Sequence, residues 1–227
     1  AVGLGSCWIN RAKEMFESAE GKALKEKWGL ADSYAGVACC ILGYADGPLP
    51  EAKPPRITEE DKKIGKYIAD LVHDGDCLQL GIGAVPDAVC SFLGDKKNLG
   101  LHSEMFSDGV LPLFEKGVIN GSCKQRDVGR ACVTFLMGSR KLYDFVNNNP
   151  MIQMMPVDVC NNPAIISQND NVVSINSCVQ VDLQGQVCAE AIGLKQISGI
   201  GGQIVPDPLC RLNSDYEFTD TSKKRYR

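Results

Sequence analysis

Two short segments of this chain hold the residue types that acyl transfer needs. Gln79-Leu80-Gly81-Ile82-Gly83 reads as a strand running into a glycine turn. His102-Ser103-Glu104-Met105-Phe106-Ser107-Asp108-Gly109, further along, presents a glutamate where a neighbouring strand is expected to end. A glycine turn between strand and helix offers backbone N–H groups to a phosphate or an oxyanion. A carboxylate beside such donors can attack an acyl carbon and carry the acyl group as an anhydride.

Each segment also has an everyday reading. Tight turns use glycine for backbone reasons alone, so Gly81-Ile82-Gly83 by itself identifies nothing. The third glycine of the dinucleotide fingerprint is replaced by Pro86, which argues against a Rossmann dehydrogenase. Glu104 reads either as an edge carboxylate capping the helix expected near Ser107, or as a nucleophile at the carboxyl end of a parallel strand. His102 shares a strand face with Glu104 by alternation, and reads as structural rather than as a general base. A second glycine turn, Ser198-Gly199-Ile200-Gly201-Gly202-Gln203, is a bend that could also bring backbone close to a ligand.

The elements needed to position these residues are legible as a repeating pattern. Thr58-Glu59-Glu60-Asp61 is a helix N-cap signature followed by an apolar stripe at Ile64, Ile68, Leu71 and Val72. A strand is expected over 77–80 and a helix over 87–93, with Pro86 near its first position. A strand over 99–103 and a helix over 107–116, closed by Gly117, come next. Strand 131–137, helix 141–146, strand 151–155 and a short helical piece at 163–167 complete the alternation. Such alternation predicts an α/β fold with a mostly parallel open sheet and flanking helices. Residues 172–189 read instead as β runs with a turn at Gln184-Gly185-Gln186, an antiparallel hairpin in the C-terminal part.

Composition narrows the function classes. The 227 residues carry a net charge of −4, with 44% hydrophobic and 23% charged residues, as expected of a globular protein. Only the tail segment Lys223-Lys224-Arg225 is basic, so no electrostatic footprint for nucleic acid is present. No apolar run reaches the roughly 18–20 residues of a membrane span. Eleven cysteines are scattered without a C-x-x-C pair and beside only two histidines. That placement predicts free thiols in a reducing compartment, and neither a disulfide framework nor a metal site.

Four motifs taken in order go further. Gln79 through Ala88, His102 through Gly109, Ile175-Asn176-Ser177 with Val181-Asp182-Leu183 and Gly185-Gln186-Val187, and Ser198 through Gln203 together resemble the acetyl-CoA hydrolase/transferase family. The likeness runs from about Leu49 to Gln203. It implies that Glu104 is the catalytic glutamate, which becomes a glutamyl-CoA thioester. It implies coenzyme A contacts at Gly81, Ile82, Gly83, Ala84 and Val85, with further contacts at Val179 and Gly202. The implied activity moves coenzyme A between an acyl-CoA (acetyl-, butyryl- or 4-hydroxybutyryl-CoA) and a short-chain carboxylic acid such as acetate. An acetyl-CoA hydrolase and a non-catalytic coenzyme A-binding remnant are the alternatives.

The expected organisation is a remnant of a first α/β domain with a proline-rich linker over 1–48, a catalytic domain over 49–203, and a divergent, disordered tail over 204–227. The expected partners are acyl-CoA and short-chain carboxylates, with coenzyme A as substrate, no metal, no nucleic acid and no membrane. A homo-oligomer in the cytoplasm or mitochondrion is the expected setting.

Overall fold

The computed structural model describes residues 5–9, 17–31, 39–43, 47, 49–197, 217–220 and 223–225, which fall into two compact units, Ala1–Pro50 and Glu51–Arg227. In the first unit, β1 (Gly5–Ile9) pairs antiparallel with β2 (Cys39–Gly43). Helix α1 (Ala19–Lys27) begins at Ser18, whose hydroxyl accepts the Gly21 N–H at 3.1 Å.

The second unit opens with α2 (Glu59–Asp70), started by a reciprocal capping box. The Thr58 hydroxyl accepts the Asp61 N–H at 3.2 Å, and the Asp61 carboxylate accepts the Thr58 N–H at 2.8 Å. That bond from the Thr58 backbone holds the Asp61 carboxyl below its ordinary value. The buried stripe of α2 is Gly65, Ile68 and Ala69, continued by Val72, while Ile64 is exposed. The apolar face is therefore turned by about one residue from the one expected.

Strands β3 (Cys77–Leu80), β4 (Gly100–Phe106), β5 (Ala131–Leu136), β6 (Ile152–Met154) and β7 (Val172–Ile175) form a parallel sheet in the order β7-β3-β4-β5-β6. The helices between them are α3 (Ala84–Ser91), α4 (Leu111–Glu115), α5 (Arg140–Val146), α6 (Val157–Cys160) and α7 (Pro163–Ile166). The mostly parallel α/β architecture is thus as expected. Short antiparallel pairs follow: β8 (Gln180–Val181) with β9 (Val187–Cys188), and β10 (Ala191–Ile192) with β11 (Lys195–Gln196). Strands β12 (Glu217–Asp220) and β13 (Lys223–Arg225) form a hairpin whose β13 runs antiparallel to β7. They fall within the segment assigned above to a tail.

The sheet is buried by the α2–α3 side through Ile68, Val72, Val89 and Leu93 packed with Leu78, Leu80 and Leu101. Strands covered on both faces read as near-continuous apolar runs rather than alternating ones. That is why β3 and β7 are buried at every position.

Three differences from the sequence reading bear on the site. Helix α3 starts at Ala84, so Pro86 is its third residue; any of the first turn's N–H groups can be absent without losing a bond. The helix expected over 107–116 is split into a 3-10 turn (Asp108–Val110) and α4, with Pro112 at the start of the latter. Strand β4 continues to Phe106, because its parallel pairing with β5 runs from His102↔Cys132 to Phe106↔Leu136. Glu104 therefore lies inside a strand and does not close it.

Candidate active site

The register of the sheet brings the two chemistry-bearing segments side by side. Strand β3 pairs with β4 at Cys77↔Gly100 and Leu78↔Leu101. Carried forward, that register sets Gly81 level with Glu104. The Ser103 hydroxyl bridges the same step, donating to the Leu80 carbonyl at 3.0 Å and accepting the Leu80 N–H at 3.1 Å.

The glycine turn is shaped by β7 on its other side. Gly81 donates its N–H to the Ile175 carbonyl at 2.9 Å, so this group is not available to an oxyanion. A Cβ at Gly81 would collide with the Asn176 side chain. Asn176 is held by Gln79 and Ser174: its amide donates to Gln79 Oε1 at 2.7 Å and to Ser174 Oγ at 2.9 Å. Gly83 has φ 127° and ψ −177°, a conformation open to glycine alone, and caps α3 without a side-chain bond. Among the described residues its N–H meets no acceptor. Ile82, Gly83 and the first turn of α3 thus offer the N–H groups left for a ligand among the described residues.

Ile82 and Gly83 line a cleft of about 150 Å³ together with Lys53, Asp87, Met105 and Asp108. Met105 reaches this cleft and Glu104 does not, since neighbouring residues of a strand face opposite ways. Glu104 is half-buried on the face that carries His102 and, on β5, Cys132 and Thr134. His102 is buried, and its Nε2 lies 2.8 Å from the Cys160 carbonyl of α6. That contact occupies one ring nitrogen and leaves Nδ1 buried without a hydrogen-bond partner among the described residues.

Several polar side chains fasten the cleft's rim, and the motifs contained all of them but Ser139 without revealing a role. The Ser107 hydroxyl donates to Asp87 at 2.9 Å. Asp108 accepts the Ser139 N–H at 2.8 Å and the Ser139 hydroxyl at 2.7 Å. These pairs tie α3 and the segments that follow β4 and β5 to one another. Burial pushes the Asp87 carboxyl up; the Ser107 bond opposes the shift and Asp108 adds to it. Ile82 is exposed at this rim, whereas Ala84 and Val85 are half-buried in the first turn of α3. Val179 is exposed and donates its N–H to the Cys188 carbonyl at 2.9 Å, in the small hairpin. Gly202 and the rest of the second glycine turn lie outside the described residues.

The chain is 62% identical over 176 residues to the 4-hydroxybutyrate coenzyme A transferase of Clostridium kluyveri, an overlap covering 77% of this chain and 41% of that protein. The model of the acetyl-CoA hydrolase/transferase C-terminal domain matches residues 138–205. The chain belongs to the acetyl-CoA hydrolase/transferase family. Within this family it is also 46% identical over 183 residues to the butyryl-CoA:acetate CoA-transferase of Anaerostipes caccae, covering 73% of this chain and 41% of that one. The solved structure of 4-hydroxybutyrate CoA-transferase from Porphyromonas gingivalis superposes with a TM-score of 0.61 at 48% identity, over 63% of this chain and 37% of that one. RipA from Yersinia pestis does so at 0.62 and 44%, over 65% and 34%. The acetyl-CoA hydrolase of Candida albicans is more distant, at 29% over 149 residues, 63% of this chain and 26% of that one. The chain spans between 29% and 41% of the length of the curated transferases it matches here.

Proposed function

We propose that this family member transfers coenzyme A between an acyl-CoA and a short-chain carboxylic acid, with Glu104 as the nucleophile. The observation that carries the reading is the placement of Glu104 on β4, level with the β3 glycine turn, in a chain 62% identical over 176 residues to a 4-hydroxybutyrate coenzyme A transferase. Ligand crevices of open α/β sheets lie at the carboxyl ends of neighbouring parallel strands. Gly81 follows the end of β3, and Glu104 lies level with it, two residues before the end of β4.

The chemistry runs in balanced steps. A Glu104 carboxylate oxygen attacks the thioester carbon, the C–S bond breaks, and an acyl-glutamyl anhydride forms with release of the coenzyme A thiolate. The thiolate attacks the glutamyl carbon, expelling the first carboxylate and leaving a glutamyl-CoA thioester. A second carboxylate attacks that thioester, and the released thiolate then takes its acyl group, restoring Glu104. Each tetrahedral intermediate places negative charge on an oxygen. The Gly83 N–H and the first turn of α3 supply donors for it; losing one such donor typically costs roughly 3–4 kcal/mol of barrier. Gly81 through Val85, Val179 and Gly202 are the coenzyme A contacts of this reading, with Gly81 acting by shape rather than through its N–H.

Transfer is favoured over hydrolysis by the transferases that share 45–62% identity with this chain, against 29% for the hydrolase. Acetate, butyrate and 4-hydroxybutyrate are the acids of the reading. A reducing intracellular compartment suits the free thiols among the described residues, Cys77, Cys90, Cys123, Cys132, Cys160, Cys178 and Cys188. Among the described residues no helix is long and apolar enough to cross a membrane. Self-association rests on exposed apolar side chains in the small hairpins, Leu183, Ile192 and Leu194.

The test is exchange. Butyryl-CoA and isotopically labelled acetate should yield labelled acetyl-CoA, and borohydride should trap a reduced glutamyl adduct at Glu104. Release of free coenzyme A without labelled acetyl-CoA would establish the hydrolase instead.

A further inference from the structure

Under the face of the sheet that carries Glu104, three donors of metal-binding type converge from three separate elements. His102 comes from β4, Cys132 from β5 and Cys160 from the end of α6; one ligand atom from each lies within 4.8 Å of the others. All three side chains are buried, at 2%, 1% and 1% exposure. His102 and Cys132 are register partners in neighbouring parallel strands, so the sheet itself fixes their separation.

We propose that His102, Cys132 and Cys160 form a binding site for a thiophilic divalent cation, zinc(II). Two sulfurs and an imidazole are a soft donor set that magnesium and calcium do not favour. Zinc–sulfur bonds of about 2.3 Å and zinc–nitrogen bonds of about 2.0–2.1 Å set tetrahedral ligands about 3.5–3.8 Å apart. The present arrangement reaches that geometry if the side chains close by roughly 1 Å.

The tautomer of His102 suits ligation. Its Nε2 faces the Cys160 carbonyl at 2.8 Å, and a carbonyl only accepts, so Nε2 carries the hydrogen. Nδ1 then holds a lone pair, and it is buried without a hydrogen-bond partner among the described residues. Thr134 Oγ1 is likewise buried and unpartnered, on β5 two residues beyond Cys132, and offers an oxygen for the fourth position. Charge balance selects zinc over copper(I). Two thiolates and a neutral imidazole around a 2+ ion sum to zero, whereas copper(I) would leave a net negative charge in an apolar interior.

Such a site pins β4 to β5 and α6 two residues before Glu104. It was hidden from the sequence because its donors are 28–30 residues apart, without C-x-x-C spacing.

The reduced, chelator-treated full chain is equilibrated with zinc or cobalt(II) without oxygen and passed through a sizing column. About one metal per chain should be retained, and cobalt should show thiolate-to-metal charge-transfer absorption. X-ray absorption of the zinc form should count two sulfurs and at least one imidazole nitrogen. Cys160→Ser should weaken binding at least about 100-fold, since loss of even an outer partner costs 10–100-fold; Cys123→Ser, at an exposed thiol, should leave it unchanged. If Cys160→Ser does not fold, the wild-type absorption spectrum decides alone. No stoichiometric zinc, a shell without two sulfurs, copper(I) held in preference, or full affinity in a folded Cys160→Ser would each overturn the assignment.

Discussion

The Ser103 hydroxyl of β4 is bonded twice to the Leu80 peptide of β3, donating at 3.0 Å and accepting at 3.1 Å. The paired residues of these strands end at Leu78↔Leu101. The hydroxyl therefore stands in for the next rung of the ladder, at the step where Leu80 enters the glycine turn and Ser103 precedes Glu104. One side chain thus fixes the spacing between the glycine turn and the carboxylate.

Ser103→Ala should remove both bonds and leave a buried N–H and C=O without partners, at a cost of roughly 1–3 kcal/mol. Urea denaturation measures that loss. Exchange activity should fall in protein that is still folded, because the turn is no longer held against β4. An unchanged midpoint would mean that the strands pair here without the hydroxyl.

At Gly81 the constraint is a neighbour rather than a ligand. A new Cβ meets the Asn176 side chain, which is tied to Gln79 and Ser174 inside the sheet. Gly81→Ala should destabilise by about 1–3 kcal/mol through overpacking. Gly81→Val should do worse and weaken coenzyme A binding by displacing the turn. Calorimetry with coenzyme A on folded protein reads the second effect; wild-type affinity would remove this turn from the ligand site.

Glu104→Gln should abolish labelled acetate incorporation while the fold is kept. The amide is nearly isosteric at a half-buried position, yet it cannot attack a thioester as a carboxylate does. Glu104→Asp should retain only a trace, since the shorter side chain withdraws the oxygen from the reacting carbon. Exchange at wild-type rate in purified Glu104→Gln would remove Glu104 from the mechanism.

The fold was largely readable because its signals are local: the Thr58–Asp61 cap, the alternation of apolar strands with helices, and turn glycines. The strand end at Glu104 was misplaced because β4 is prolonged by its pairing with β5, a non-local effect. The sequence does not distinguish the N–H groups of the Gly81-Ile82-Gly83 turn, because the Ile175 carbonyl that occupies that of Gly81 comes from a strand almost a hundred residues away. The Asp87–Ser107 and Asp108–Ser139 ties join segments that only the sheet brings together. The His102–Cys132–Cys160 cluster was unreadable for the same reason. Motif order conveys which residues matter, whereas their partners come from topology.

Asp87 makes the rim of the cleft sensitive to pH. Burial raises its carboxyl above the ordinary 3.8, Ser107 opposes that shift and Asp108 adds to it. Between 3.8 and the raised folded value, the native state binds more protons than the unfolded chain. Stability from this group is therefore full below 3.8 and is lost as pH climbs through the window, then stays level above it. Asp87→Asn keeps an oxygen for the Ser107 hydroxyl but carries no charge. Relative to wild type, the variant should gain stability between about pH 3.8 and neutrality, whatever its offset at acid pH. Urea denaturation of both proteins at stepped pH gives the difference directly. A difference that stays flat, or that turns against the variant as pH rises, would show that Asp87 ionises in the folded protein as freely as in the unfolded chain.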